Sequence, residues 1–188
     1  MGVVSELAGA SSRRSLVLIA LLGALLLAAC GGSTQVKPAA YVRSMCTALG
    51  TWKNTIQNAG VELQASGAAT APRPVAKVDY QRFVSALVRA TRRAASDLHS
   101  AGVPDVSGGR ALAGSLTGAF DVATRRLAQA QSQARTIRTD SVSTFQLGAS
   151  AVTTEIKSAL EAIAAVAPRR SAQLRQAAAR EPACQVLQ

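Results

Sequence analysis

Residues 38–56 read PAAYVRSMCTALGTWKNTI. Val42, Met45, Leu49, Trp52 and Ile56 recur there at steps of three and four, the period at which one face of an α-helix returns. Pro38 suits the opening position, where its missing N–H leaves no bond unmade. Cys46 lies beside the stripe, near the edge of the core it predicts. The pattern fades into Ala65-Ser66-Gly67-Ala68-Ala69, and Pro72 and Pro74 mark a linker.

The same period continues downstream. A second helix is predicted from Pro74 or Lys77 to Ser100, with Tyr80, Phe83, Leu87, Ala90, Ala94 and Leu98 on its apolar face. Ala101 to Asp105 ends it, and Ser107-Gly108-Gly109 extends the loop. A third runs from Arg110 to Arg138 through Leu112, Leu116, Phe120, Ala123, Leu127, Ala130, Ala134 and Ile137. Thr136 to Thr144 holds no Gly or Pro but is rich in Thr, Ser and Asp, whose side chains compete for backbone hydrogen bonds. A turn is therefore placed near Thr139 and Asp140; an unbroken helix of about sixty residues would be ~90 Å long. The fourth helix carries Phe145, Ala149, Val152, Ile156, Ala159 and Ile163 and stops at Ala167-Pro168. A short fifth spans Ser171 to Arg180, and Pro182 breaks it. No internal repeat and no strand pattern is evident.

The fold class expected is therefore all-α: an antiparallel bundle of four long helices plus a short C-terminal helix. Residues 38–188 form a single domain in this reading. Aromatic residues make up 3% of the chain and alanine is abundant, a composition suited to closely approaching helices.

Upstream, Arg13 and Arg14 precede an uncharged run from Ser15 to Ala29, about the length of a signal-peptide apolar region and too short to span a bilayer. The run closes on Leu27-Ala28-Ala29-Cys30, followed by Gly31-Gly32-Ser33. This stretch resembles the bacterial lipoprotein signal: a Leu, two small residues, then Cys. The resemblance implies cleavage after residue 29, a diacylglyceryl thioether and acyl chain such as palmitate on Cys30, and attachment at the extracytoplasmic face of the cell membrane or to an outer membrane. An ordinary anchor or secretory signal is the alternative. Ser12-Arg13-Arg14-Ser15-Leu16-Val17 also resembles a twin-arginine export signal, so the route is general or twin-arginine export. Residues 30–37 then form a lipidated cysteine and short tether, which keeps the domain close to the bilayer.

Taking residues 1–29 from 188 leaves 159, with 19 of the 21 Lys and Arg and 9 of the 10 Asp and Glu, a formal charge of about +10. Export argues against nucleic acid as the partner. The polyanions outside a membrane are lipid headgroups and envelope polymers. Alternatively the arginines only solvate the surface. With Cys30 lipidated, Cys46 and Cys184 remain, and two cysteines in an exported domain read as one disulfide, with two free thiols as the alternative. The order of Tyr41-Val42-Arg43-Ser44-Met45-Cys46, Trp52, a helix with Leu174 and a final Ala183-Cys184 resembles a family of small actinobacterial α-helical lipoproteins. That resemblance implies fold and location.

Catalytic chemistry has little to draw on. His99 is the sole histidine, at a helix C-terminus where an imidazolium can meet the dipole. The carboxylates lack the Glu-x-x-His pairs of a helical metal site, and no phosphate loop or zinc spacing occurs. No catalytic residue, metal or cofactor is therefore assigned. Trp52 either fills the core or lines an apolar pocket. Arg82, Arg89, Arg92 and Arg93, extended by Arg125 and Arg126, form either a solvated face or a basic contact face for anionic lipid, envelope polymer or an acidic envelope protein. The expected function is non-enzymatic: a lipid-anchored envelope interaction or structural module. The alternative is a carrier or sensor of a small apolar ligand held between helices.

Overall fold

Lys37 is extended at φ −56° and ψ 140°, and Pro38 follows it as the first residue of α1, Pro38–Ala65. A computed structural model describes residues 35–166 and 171–187. The signal segment 1–29, Cys30, the tether as far as residue 34 and the Pro168 helix stop lie outside the described residues. The remaining long helices are α2, Arg73–Ser100; α3, Gly109–Thr136; and α4, Val142–Ala164. Two short ones close the chain: α5, Ala172–Arg180, and α6, Pro182–Gln185. The four long helices pack as an essentially all-α bundle, each against the next in sequence, while α5 and α6 pack on α1.

Side chains fix the antiparallel register of α2 and α3. Gln81 Nε2 donates to the Ala134 carbonyl at 3.1 Å, and Gln131 Nε2 donates to Ser85 Oγ at 2.9 Å. Nearer the other end, His99 Nε2 lies 3.3 Å from Asp121 Oδ2. Partner numbers rise along α2 as they fall along α3. The inner column of α3 is Ala113, Leu116, Phe120, Ala123, Leu127, Ala130 and Ala134, all buried. Alternating bulky and small residues let α2 and α4 approach it from two sides and interdigitate.

Two turns have local causes. Ser141 caps α4, its Oγ accepting from the Thr144 backbone N–H at 3.1 Å, which confirms the break expected near Thr139 and Asp140. Gly108 sits at φ 73°, the left-handed region open chiefly to glycine, and a Cβ on Gly109 would run into the Pro104 carbonyl.

The structure departs from the sequence reading in three places. Gln35–Val36 (β1) pairs in parallel with Val103–Pro104 (β2), although no strand was expected. Strands of two residues are too short to express alternation. Pro182 restarts the chain as α6, with Glu181 accepting from the Ala183 N–H at 3.4 Å, rather than only breaking it. The covered face of α1 is also wider than its stripe. Tyr41, Val42, Cys46, Ala48 and Ala59 are buried, whereas Met45, Leu49, Trp52 and Ile56 are half-buried. Docking of α5 and α6 covers Tyr41, Val42 and Cys46, and Ala48 packs on α2 and α3.

Candidate functional site

Cys46 and Cys184 are bonded, with Cα atoms 4.9 Å apart across a sequence separation of 138. They sit in one apolar cluster with Tyr41, Val42, Ala101, Ala113 and Leu174. Arg43 Nε donates to Glu181 at 3.0 Å, and Lys53 Nζ donates to the Val186 carbonyl at 3.0 Å. The C-terminal segment is thus held to α1 by the covalent bond, an ion pair and a hydrogen bond. Burial of Tyr41 in the same cluster pushes its phenol pKa above the ordinary value.

Trp52 is committed to packing. Its indole N–H donates to Thr91 Oγ1 at 3.0 Å, and its ring meets Phe120 edge-on with centroids 5.3 Å apart. Thr91 is fully buried, and the indole supplies its cross-helix partner.

The six arginines spread over several flanks. Arg82 and Arg89 come together in a 240 Å³ cleft between α1 and α2, where Glu62 and Asp79 also lie. Asp79 accepts from Arg82 at 2.7 Å, so this cleft mixes both signs of charge. Arg93 is exposed one helical turn beyond Arg89. Helical spacing places Arg92 on the flank of α2 that carries Ser85 and His99, and Arg125 one turn beyond Asp121 on α3. Arg126 turns instead toward α4, 3.7 Å from Glu155. Among the described residues Arg89, Arg92, Arg93 and Arg125 make no ion pair.

His99 and Asp121 are both partly exposed and face each other across α2 and α3. Asp140 receives two hydrogen bonds from Arg138, each 3.0 Å, and this guanidinium holds its carboxyl below the usual range. Among the described residues no group of three or more His, Cys, Asp or Glu could hold a metal ion. No helix among them is long and apolar enough to cross a membrane.

At the end of the bundle away from the disulfide, an open pocket of 440 Å³ lies between α1, α2 and α4. Leu63, Ala68, Ala69, Ala76, Tyr80, Phe145, Ala149 and Gln64 line it. Tyr80 turns its hydroxyl away to α4, 2.6 Å from Thr153 Oγ1 and 3.3 Å from the Ala149 carbonyl. The ring therefore offers the pocket mainly carbon. Sequence reading missed this site. Its signal in the chain is the run of small residues at 65–69 between Leu63 and Ala76.

No protein-family model, curated protein or solved structure matches this chain. Its functional reading rests on its own residues.

Proposed function

We propose that this chain is a lipid-anchored helical module at the extracytoplasmic face of the cell membrane, held through a diacylglyceryl thioether on Cys30 and acting by non-enzymatic contact with an envelope component. The observation that carries the reading is the Cys46–Cys184 bond. Structural disulfides persist in oxidising, exported compartments. Of the chain's three cysteines, that bond leaves one, Cys30, and it stands in the lipoprotein-like Leu27-Ala28-Ala29-Cys30 stretch. The exposed Arg89, Arg92, Arg93 and Arg125 supply positive charge for anionic lipid headgroups, envelope polymer or an acidic envelope protein.

The test is acyl labelling in an exporting host. Cys30→Ala is expected to abolish incorporation of labelled palmitate and release the protein from the membrane fraction. Retained label overturns the anchor. Contact through the arginines is expected to weaken with salt, since exposed charges are screened over ~8 Å at physiological ionic strength.

A second reading, carriage of a small apolar ligand between helices, is favoured by the pocket at Leu63, Tyr80 and Phe145.

A further inference from the structure

The cleft between α1 and α2 opens where small residues line both helices. Trp52 of α1 bonds to Thr91 of α2, and Leu63 shares a pocket with Tyr80, so partner numbers fall along α2 as they rise along α1. Between those two contacts Ala59 and Ala86 line the cleft, and their methyl groups do not fill the space between the helices. The volume left is 240 Å³, and Leu63 and Phe83 complete its apolar lining.

The charges on this cleft are separated by sign. In the antiparallel register Glu62, ten residues past Trp52, stands level with the part of α2 ten residues before Thr91, where Asp79 and Arg82 lie. Asp79 and Arg82 neutralise each other at 2.7 Å. Glu62 therefore leaves that end of the cleft negative. Arg89 lies seven residues beyond Arg82 on α2, about 10 Å along the helix axis. It leaves the other end positive; Arg93 follows it by one turn and Asp97 by two. Among the described residues neither Glu62 nor Arg89 makes an ion pair. The two unpaired charges are held apart, with the alanine methyls and the Phe83 ring between them.

That separation selects a ligand charged oppositely at its two ends. A free amino acid carries its charges across one carbon and cannot reach both. A simple anion or cation answers one end and leaves the other. An extended peptide covers about 3.3–3.6 Å per residue, so about three residues span the distance. A guanidinium matches a terminal carboxylate in geometry as well as charge.

We propose that this cleft binds a short zwitterionic peptide, its α-ammonium at Glu62, its α-carboxylate at Arg89 and its small side chains on Ala59, Phe83 and Ala86. The proposal rests neither on the lipid anchor nor on carriage of an apolar ligand. Both charged contacts are exposed, so each contributes little alone and the binding is weak and salt-sensitive.

The probe is trialanine, titrated into the oxidised full chain in detergent micelles and followed by NMR of carbon-labelled alanine methyls. Saturable shifts of the Ala59 and Ala86 methyls, with the buried Ala123 methyl unmoved, are the expected result. N-acetyl-trialanine and trialanine amide each lack one charge. Each is expected to bind about fivefold more weakly than trialanine, the upper range for one exposed ion pair. Arg89→Gln is expected to weaken trialanine by the same factor and leave binding of the amide unchanged. Glu62→Gln is expected to weaken trialanine likewise and leave binding of the acetylated form unchanged. Both side chains are exposed, so neither variant removes a packing contact from the core. Either capped form binding as tightly as trialanine, or Arg89→Gln weakening the amide, overturns recognition of two charged ends. No saturable shift at Ala59 and Ala86 up to the solubility limit of trialanine overturns the site. Shifts confined to Ala76 and Ala149 place the peptide in the pocket beside Tyr80 and overturn it equally.

Discussion

Reduction of the Cys46–Cys184 bond frees a chain separation of 138 residues in the unfolded ensemble. The chain-entropy relation gives about 5 kcal/mol for a loop of that length, although the mechanism is model-dependent. A whole domain is stable by only ~5–15 kcal/mol. For a domain of this size the loss corresponds to a fall in Tm of about 10–20 °C. The fold also offers a cheaper route than global unfolding. The α5 and α6 helices pack on α1, and their removal uncovers Val42 and Leu174, at roughly 1.5–3 kcal/mol each. With the bond cut, the C-terminal segment opens locally before the α2–α4 core unfolds. The assay pairs thermal circular dichroism with hydrogen exchange by mass spectrometry, on oxidised and on reduced, alkylated protein. Faster exchange over residues 172–185, protection retained in α3 and a lowered Tm are expected. A Tm change below about 3 °C with unchanged exchange over 172–185 would refute the reasoning.

Three further predictions follow from single contacts. Trp52→Phe keeps the aromatic packing but removes the donor to buried Thr91, and urea denaturation is expected to show a loss of about 1–3 kcal/mol; Thr91→Val in that background is expected to recover part of it. Gly109→Ala places a Cβ against the Pro104 carbonyl and is expected to cost about 1–3 kcal/mol, read in the same assay, with Gly114→Ala, which meets open space, as the control. The Asp140 carboxyl, followed by NMR, is expected to titrate below the ordinary carboxylate value, and Arg138→Ala is expected to raise it. Because this pKa is lowered in the fold, its contribution is present above the unfolded-state value and is lost as pH falls through the folded-state value.

Helix existence was legible because its signal is local. Apolar residues at steps of three and four located all four long helices, and Pro38, Pro74 and the Ser- and Thr-rich stretch at 139–144 located their ends to within a few residues. The pairing of Cys46 with Cys184 was legible only with Cys30 set aside in the lipoprotein-like stretch, since three cysteines allow three pairings. The pocket was not, because a void is defined by what three separate helices fail to fill. Its lining residues Leu63, Ala76 and Phe145 are ordinary members of three separate segments.

The covered face of α1 shows the same division. Its periodicity announced a helix, but neighbours decide which side of a helix is covered. Met45, Leu49 and Trp52 pack half-buried on a cluster that Ile163 of α4 also joins, while docking of α5 and α6 buries Tyr41 and Cys46. The arginines also separate in three dimensions, with Arg82 and Arg89 toward α1, Arg92 on the α3-facing flank of α2, Arg125 exposed one turn beyond Asp121, and Arg126 toward Glu155. Sequence alone determined that this chain makes four long amphipathic helices, because helical period is a property of the chain itself. Tertiary structure alone decided the burial of Thr91 under Trp52, the two-residue β1–β2 pairing and the apolar pocket, because each arises where segments distant in sequence meet or fail to meet.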